Sequence, residues 1–168
     1  MTFSKRIFCL LITTFLFNLT LADDSNGSIY FGDASSGQID LMYDFEEAVA
    51  GFQFDVQGLS GMSASGGSAE DAGFEISAGS TTLIGFSFSG ATIDAGSGVL
   101  TTLSYDSISS DSVTLTLGSG AITAPGGIDL VPNVEDSFAH PKDCNGDYYG
   151  SLENDECGVC DGDGSTCS

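Results

Sequence analysis

The sequence predicts an all-β protein: an antiparallel β-sandwich of eight or nine short strands, followed by a small disulfide-bonded tail. Apolar and polar residues alternate in short runs between residues 28 and 131, which is the period of strands buried on one face. Turns rich in Gly, Ser and Asp separate these runs, and Val, Ile, Thr and Phe dominate them. No stretch keeps a helical period, so a sandwich is favoured over a mixed fold.

The strongest predicted strand lies within residues 49–58, where Phe52, Phe54 and Val56 alternate with Gln53 and Asp55. The other predicted strands are bounded by Gly, Ser, Asp or Pro, as strand ends usually are. In chain order they are residues 28–31, 38–45, 62–65, 74–76, 81–89, 99–105, 112–117 and 128–131.

The predicted strand 81–89 is the second strongest of the series. We expect Ile84, Phe86 and Phe88 to face the core, and Ser87 and Ser89 to face solvent, because the two sets alternate.

Two further expectations follow from the same alternation and from the glycines. Residues 99, 101, 103 and 105 are expected to share one face of their strand. Gly118–Gly120 and Pro125–Gly127 are expected to form turns, because Gly and Pro interrupt strands.

Residues 1–22 have the pattern of a secretory signal peptide. Lys5 and Arg6 precede an apolar run over residues 7–21, and small residues before Asp23 suit cleavage after Ala22. A retained transmembrane anchor is the alternative, although the apolar run is short for spanning a bilayer and has no positive flank after it. We therefore expect a secreted protein with a sandwich at 23–131, a linker at 132–142 and a cysteine-rich acidic tail at 143–168.

The charge of the chain excludes several classes of partner. Removing the signal would remove Lys5 and Arg6, so that Lys142 would be the one basic residue beside 24 acidic ones. Binding to nucleic acid or to anionic membranes requires clustered Lys and Arg. We accordingly expect no nucleic-acid partner and no stable membrane insertion after signal cleavage.

The tail carries the remaining cysteines, at Cys144, Cys157, Cys160 and Cys167. An even number in a secreted chain predicts two disulfides, and four cysteines allow three pairings, among which the sequence does not choose. Zinc is the alternative, since Cys157 and Cys160 have zinc-like spacing, but thiols oxidise in the secretory pathway.

Calcium is the one cofactor that the sequence suggests. Asp143, Asn145 and Asp147 have the spacing of the first ligands of an EF-hand loop, and Glu153 and Asp155 would complete the set. The run then departs from that loop, because it lacks the turn glycine and the bidentate glutamate. An acidic, solvated tail without bound metal is the alternative.

Asn26 and His140 are two further residues whose chemistry bears on function. Asn26 begins an Asn-Gly-Ser sequon, which would be glycosylated in a eukaryotic host. His140 is the single histidine and lies in the predicted linker, so it does not complete a catalytic triad. With no Trp to form a sugar platform and no paired carboxylates that stand out, we predict that the protein is not an enzyme.

Residues 39–131 resemble the cohesin-like family of secreted β-sandwiches, within a wider group that includes carbohydrate-binding modules. The matching segments are Ile39-Asp-Leu-Met-Tyr43, Val49-Ala-Gly-Phe-Gln-Phe-Asp55, Leu83-Ile-Gly-Phe-Ser-Phe-Ser89 and Ile93-Asp-Ala-Gly-Ser-Gly-Val-Leu100. The resemblance implies a nine-stranded jelly roll that binds a dockerin-like protein and performs no catalysis. These segments are core and turn residues, so they identify no partner-contacting side chain.

The tail has a second resemblance. Residues 155–167 are similar to a short motif of secreted repeat proteins, D-x-C-G-V-C-G-G-D-x-S-x-C, with Asp161 where Gly is commoner. The likeness implies a disulfide module.

We therefore expect a secreted interaction or adhesion module that binds an extracellular protein through a sheet face or a sheet edge. Two alternatives stay open. A carbohydrate-binding module would bind polysaccharide through an exposed aromatic row, and a structural or virion-surface subunit would assemble through its tail.

Overall fold

The computed structural model describes residues 26–165 and residue 167, so the predicted signal peptide, residues 1–22, lies outside the described residues. The described chain forms twelve strands and one short helix, which confirms the all-β fold class. They are β1 (Gly27–Ser35), β2 (Gln38–Phe45), β3 (Gly51–Gln57), β4 (Leu59–Ser60), β5 (Ser63–Ser65), α1 (Gly67–Asp71), β6 (Glu75–Ala78), β7 (Thr82–Phe86), β8 (Gly96–Ser104), β9 (Ser107–Ile108), β10 (Ser112–Ala124), β11 (Ile128–Leu130) and β12 (Asn133–Ala139). The count exceeds the predicted nine mainly because β4, β9 and β12 were not expected.

The strands form two sheets, which are joined through the pairing of one strand from each. Sheet A has the order β5-β8-β2-β1, and sheet B has the order β12-β10-β3-β7-β6, with β11 added to β10. β1 and β12 join the halves as a parallel pair, in which Ser28 lies opposite Asn133 and Ile29 opposite Val134. The other pairings are antiparallel, and β4 with β9 makes a separate two-stranded ribbon.

One hydrophobic core lies between the two sheets. Apolar side chains from the inner faces of both sheets form a single buried cluster, which makes the fold a sandwich. Phe54, the largest fully buried side chain, comes from the strand that the sequence marks as strongest. The alternation read from residues 38–45 and 51–57 therefore predicted the core correctly in β2 and β3.

The predicted linker at 132–142 is wrong. Asn133–Ala139 form β12, which lies inside the sheet between β1 and β10. Its residues pair with β10 from Ser112 opposite Ala139 to Thr116 opposite Glu135. The apolar alternation in this segment is weak, and its place in the sheet comes from backbone hydrogen bonds to strands distant in sequence.

The predicted common face of residues 99, 101, 103 and 105 is wrong at Val99. A β-bulge interrupts the pairing of β8 with β2, because Leu41 lies opposite Thr101 whereas Met42 lies opposite Val99. The extra residue, Leu100, is fully buried together with Thr101. Val99 consequently lies beside Met42 on the outer face of sheet A.

The predicted turn at Gly118–Gly120 is also wrong, because β10 runs through it. The register between β10 and β3 shifts between Thr116 and Ala121, where the extra residues form an irregular bulge. Gly120 suits this bulge because a side chain there would collide with the carbonyl oxygen of Gln53.

Two disulfides hold the tail, as expected, and the structure selects one of the three pairings. Cys144 is bonded to Cys160 and Cys157 to Cys167, with Cα–Cα distances of 5.4 and 5.0 Å. The thiolates that zinc would need are therefore used in disulfides. The first bridge connects the two halves of the tail, and the second closes the later half.

The tail is two consecutive copies of one loop, beginning at Asp143 and at Asp155. The backbone N–H of Asp143 donates to the carbonyl of Asp147 at 3.0 Å, and that of Asp155 to the carbonyl of Val159 at 2.9 Å. Tyr149 (φ 53°) and Asp161 (φ 54°) occupy the same left-handed position in the two copies. This conformation explains why Gly is commoner where Asp161 stands, since Gly adopts positive φ without steric cost.

Within the described residues, no helix is long and apolar enough to cross a membrane.

Candidate functional site

β7 and the turn that follows it expose three apolar side chains, which reverses the predicted orientation of this segment. Ile84 is 37% exposed, Phe86 38% and Phe88 85%, although the sequence predicted all three in the core. β7 ends at Phe86, so the alternation does not continue to Ser89. We refer to Ile84, Phe86 and Phe88 as the β7 patch.

The reversal has a steric cause. Leu83 is fully buried and Gly85 faces the same way, against the ring of Phe52 on the neighbouring strand β3. A Cβ atom at position 85 would fall inside that ring. Because only glycine fits beneath Phe52, the residues on either side of Gly85 point away from the core.

The β7 patch lies at one edge of a polar and acidic sheet face. Phe86 lies opposite Glu75 of β6 on one side and Gly51 of β3 on the other, and Ile84 lies opposite Gln53. The rings of Phe86 and Phe88 meet edge to face, with centroids 4.9 Å apart and an interplanar angle of 83°. This arrangement differs from a row of coplanar rings.

The polar part of this face is ordered by side-chain hydrogen bonds. The hydroxyl of Thr82 donates to the Asp55 carboxylate at 2.9 Å, which fixes the start of β7 on β3. The other strongly exposed apolar residues stand apart from the β7 patch in sequence: Tyr30, Ile128, Val131 and Val159.

The predicted calcium ligands lie in the two loops of the tail, where two of their carboxylates accept backbone N–H groups. The Asp143 carboxylate accepts the backbone N–H groups of Asn145 and Asp147 at 3.0 and 2.9 Å, and the Asn145 amide donates to the Asp147 carboxylate at 3.0 Å. Asp155 plays the corresponding role in the second loop. Across the part of the chain that the structure describes, no three acidic, His or Cys residues form a group able to hold a metal. Calcium binding at Asp143, Asn145, Asp147, Glu153 and Asp155 stays a prediction.

The first aspartate of each loop is a structural acceptor. Hydrogen bonds from backbone N–H groups, the first from Asp147, hold the pKa of Asp143 below its usual range. Those from Val159, Gly164 and Cys157 do the same for the pKa of Asp155. Both carboxylates are therefore hydrogen-bonded within their own loops.

The junction between tail and sandwich is a second cluster of polar and aromatic groups. His140 is only 4% exposed and lies against the rings of Tyr105, Phe138, Tyr148 and Tyr149. Burial lowers the pKa of His140 below its ordinary value of 6.5. The sequence placed His140 in a linker, and only the packing of distant segments reveals the cluster.

Asn26, the predicted glycosylation site, is half-buried at the start of β1. Its side-chain oxygen accepts the backbone N–H of Val131 at 3.2 Å. This hydrogen bond holds the start of β1 beside Val131, which precedes β12. Glycosylation of Asn26 stays a prediction.

The chain matches no family model and no curated protein. Among solved structures it is similar to a non-cellulosomal cohesin from the hyperthermophilic archaeon Archaeoglobus fulgidus, with 16% sequence identity and a TM-score of 0.48. The likeness covers 68% of this chain and 91% of that chain.

Proposed function

We propose that the protein is a secreted, non-enzymatic interaction module of the cohesin type, and that it binds a protein partner through the β7 patch. The observation that carries the proposal is the outward orientation of Ile84, Phe86 and Phe88 on an otherwise polar face. Contiguous exposed apolar side chains with a polar rim are typical of protein interfaces, and aromatic residues dominate their binding energy.

The rigid support of the patch strengthens this proposal. Gly85 sits tightly under Phe52, and Ile84 and Phe86 therefore project from a strand that is paired on both sides. A preformed surface loses little conformational entropy when a partner binds. Secretion is supported by the predicted signal peptide and by two disulfides, which form and persist in oxidising compartments.

The orientation of the aromatic rings favours a protein partner over a polysaccharide. Sugar rings stack on exposed aromatic faces, whereas Phe86 and Phe88 stand nearly perpendicular to each other. A partner side chain can pack between perpendicular rings as in a protein core. The sequence resemblance adds that this partner is a dockerin-like protein, and the acidic neighbours Glu75 and Asp55 favour basic residues around its apolar contact.

A pull-down from the culture medium of the source organism tests the proposal. The bait is immobilised protein, in calcium and again in EDTA. The test variant carries Ile84→Thr, Phe86→Thr and Phe88→Ser, which removes the apolar surface and retains β-forming residues in the strand. The matched control is Tyr30→Thr, since Tyr30 is 39% exposed but lies on sheet A.

We expect a discrete protein partner that the wild type and the Tyr30 variant retain and the triple variant loses. Loss of that partner in EDTA would identify the dockerin type of recognition. Recovery of polysaccharide alone would favour the carbohydrate-binding alternative, and recovery of further copies of the bait alone would favour the structural subunit. Either result would contradict the proposed function.

A further inference from the structure

The contact between the tail and the sandwich is built around His140, which the proposed function does not use. Two of the four aromatic rings around its imidazole, Tyr105 and Phe138, belong to the sandwich, and two, Tyr148 and Tyr149, belong to the tail. The centroid distances range from 5.3 to 6.2 Å. The tail therefore packs against the His140 imidazole through its two tyrosine rings.

One ring nitrogen of His140 has a hydrogen-bond partner and the other has none. The Tyr149 hydroxyl lies 3.0 Å from Nδ1, and the Tyr105 hydroxyl donates to the Ser35 carbonyl at 3.0 Å. Nε2 is buried, and it has no hydrogen-bond partner among the described atoms.

The imidazolium form of His140 carries a proton on both ring nitrogens. It would place a charge in this buried site and an N–H donor at Nε2, where no described atom accepts it, which is strongly unfavourable. The charged groups around the junction are Asp106, which lines a cavity together with Tyr105, and the pair of Asp111 with Lys142, whose carboxylate also accepts the Tyr148 hydroxyl. Within the described residues none of these carboxylates forms an ion pair with the imidazole.

We propose that protonation of His140 releases the tail from the sandwich, so that pH governs whether the tail is docked. The tail packs against the imidazole while His140 is neutral. When the tail separates from the sandwich, the imidazolium leaves the four surrounding aromatic rings and becomes solvated. The junction is suited to opening, because a cavity of about 210 Å³ lined by Tyr105, Tyr148 and Tyr149 lies within it. The two loops of the tail stay folded after release, since the disulfides lie within the tail.

The sign of the pH dependence follows from burial. Burial lowers the pKa of His140 in the docked state, whereas the released imidazole has the ordinary value of 6.5. Docking is consequently strongest above 6.5 and weakens as the pH falls below it, until the docked imidazole itself takes a proton. Each pKa unit of difference weakens docking about tenfold.

The other junction contacts do not titrate in this window. Lys142 and the Tyr148 hydroxyl hold the pKa of Asp111 below its usual 3.8. The Asp111–Lys142 pair therefore keeps its charge throughout the range in which His140 titrates. Such an exposed pair contributes little by itself and does not hold the tail once the aromatic contacts are lost.

The test combines two measurements on the full chain between about pH 7 and pH 4.5, which spans the ordinary His range. As His140 is the single histidine, its ring proton resonances report its protonation without ambiguity. Nuclear Overhauser contacts between the rings at positions 140 and 149, whose centroids lie 5.7 Å apart, report docking. Hydrogen exchange of the Asp161 amide, which donates to the Glu153 carbonyl within the tail, is the internal control.

Two variants separate the charge from the hydrogen bond. His140→Phe keeps an aromatic ring but cannot take a proton, and Tyr149→Phe removes the hydrogen bond to Nδ1 but keeps the histidine.

In the wild type we expect a His140 pKa below 6.5 and an acid-induced loss of the ring contact between positions 140 and 149, with the Asp161 amide unchanged. His140→Phe should abolish the acid loss, and Tyr149→Phe should retain it. An unshifted His140 pKa, or a ring contact that is independent of pH in the wild type, would overturn the proposal without any variant. An identical acid loss in His140→Phe would also overturn it. None of these outcomes depends on the β7 patch.

Discussion

The Nζ atom of Lys142 lies 2.8 Å from the Oδ1 atom of Asp111, and this ion pair joins the start of the tail to the loop before β10. The Tyr148 hydroxyl donates to the same carboxylate, and Lys142 lies 4.6 Å from the centre of the Tyr148 ring. Lys142 is the one Lys or Arg within residues 26–165. The single cation of this region is therefore used to place the tail on an acidic sandwich.

The tail should also be released at high pH, through Tyr149. Burial, and then a hydrogen bond to Tyr105, raises the pKa of Tyr149 to about 12 from its ordinary 10. Because the docked state favours the neutral phenol, docking is complete below 10 and is lost as the pH rises through about 12. The increase in tyrosinate absorbance near pH 12 should be smaller by one tyrosine in Tyr149→Phe than in the wild type or in Tyr30→Phe. An increase of unchanged size in Tyr149→Phe would contradict the assignment.

Gly85→Ala should destabilise the sandwich by about 1–3 kcal/mol, the usual cost of overpacking a core. The added Cβ would collide with the ring of Phe52. The free energy of unfolding in urea measures the effect. Gly79→Ala is the matched control. A Cβ atom at position 79 would lie 3.4 Å from its nearest neighbour, the Thr82 carbonyl oxygen, and Gly79 does not have a left-handed φ.

A double variant checks the cause of that destabilisation. Shortening the ring by Phe52→Leu makes room for the new Cβ, so Gly85→Ala should cost less in that background than in the wild type. Equal costs in both backgrounds would show that the collision with Phe52 is not the reason.

Asp136 should stabilise the junction between the two sheets. Its carboxylate accepts the backbone N–H of Phe31 at 2.8 Å, beyond the point where the short parallel pairing of β1 and β12 ends. Asp136→Ala leaves that N–H without its acceptor and should cost about 1–2 kcal/mol of unfolding free energy. Glu135→Ala, at an exposed neighbour, should change it by less than about 0.5 kcal/mol. Similar values for the two variants would contradict this role.

Asp155→Asn should weaken the hydrogen bonding of the second tail loop at Gly164 and leave it intact at Val159. One carboxylate oxygen accepts the N–H groups of Cys157 and Val159, and the other accepts that of Gly164 at 3.0 Å. Asparagine replaces one of these acceptors with a donor, and it keeps the shared contact to Cys157 and Val159 by orienting its oxygen there. Amide exchange should therefore accelerate at Gly164 while Val159 stays protected.

The same carboxylate predicts an acid response of the wild-type tail. Because the backbone donors lower the pKa of Asp155, its contribution is present above the ordinary value of 3.8 and is lost as the pH falls through the folded value. Protection of the Val159 amide should fall in that range. An unchanged Val159 amide at pH values well below 3.8 would refute the structural role of this carboxylate.

Asp161→Gly should stabilise the second loop. Asp161 has a φ of 54°, a conformation that costs about 1–2 kcal/mol for a residue with a Cβ atom and little for glycine. The Gly162 amide, which donates to the Val159 carbonyl, should exchange more slowly in the variant. Gly158→Ala is the opposite control, since Gly158 has a φ of 78° and should accelerate exchange in the same loop. Faster exchange in Asp161→Gly would contradict the conformational argument.

The strand that carries Ile84 and Phe86 could be predicted from the sequence, but the face that it buries could not. In Leu83–Phe86 both phases of the alternation carry apolar side chains, so the period predicts a strand without saying which face is buried. The ring of Phe52 decides the matter, since it leaves room for glycine alone at position 85. The β7 patch is the result of that long-range contact.

The local features of this protein can be read from the amino-acid order alone. They are the alternating runs, the turns between most of them, the core faces of β2 and β3, and a tail stabilised by two disulfides. These follow from chain geometry and side-chain chemistry within a few residues. Three other features arise from packing: Asn133–Ala139 form a strand, Leu100 enters the core through a bulge, and His140 supports the tail. These depend on partners far away in the chain, because register, face and burial are properties of the assembled sheets.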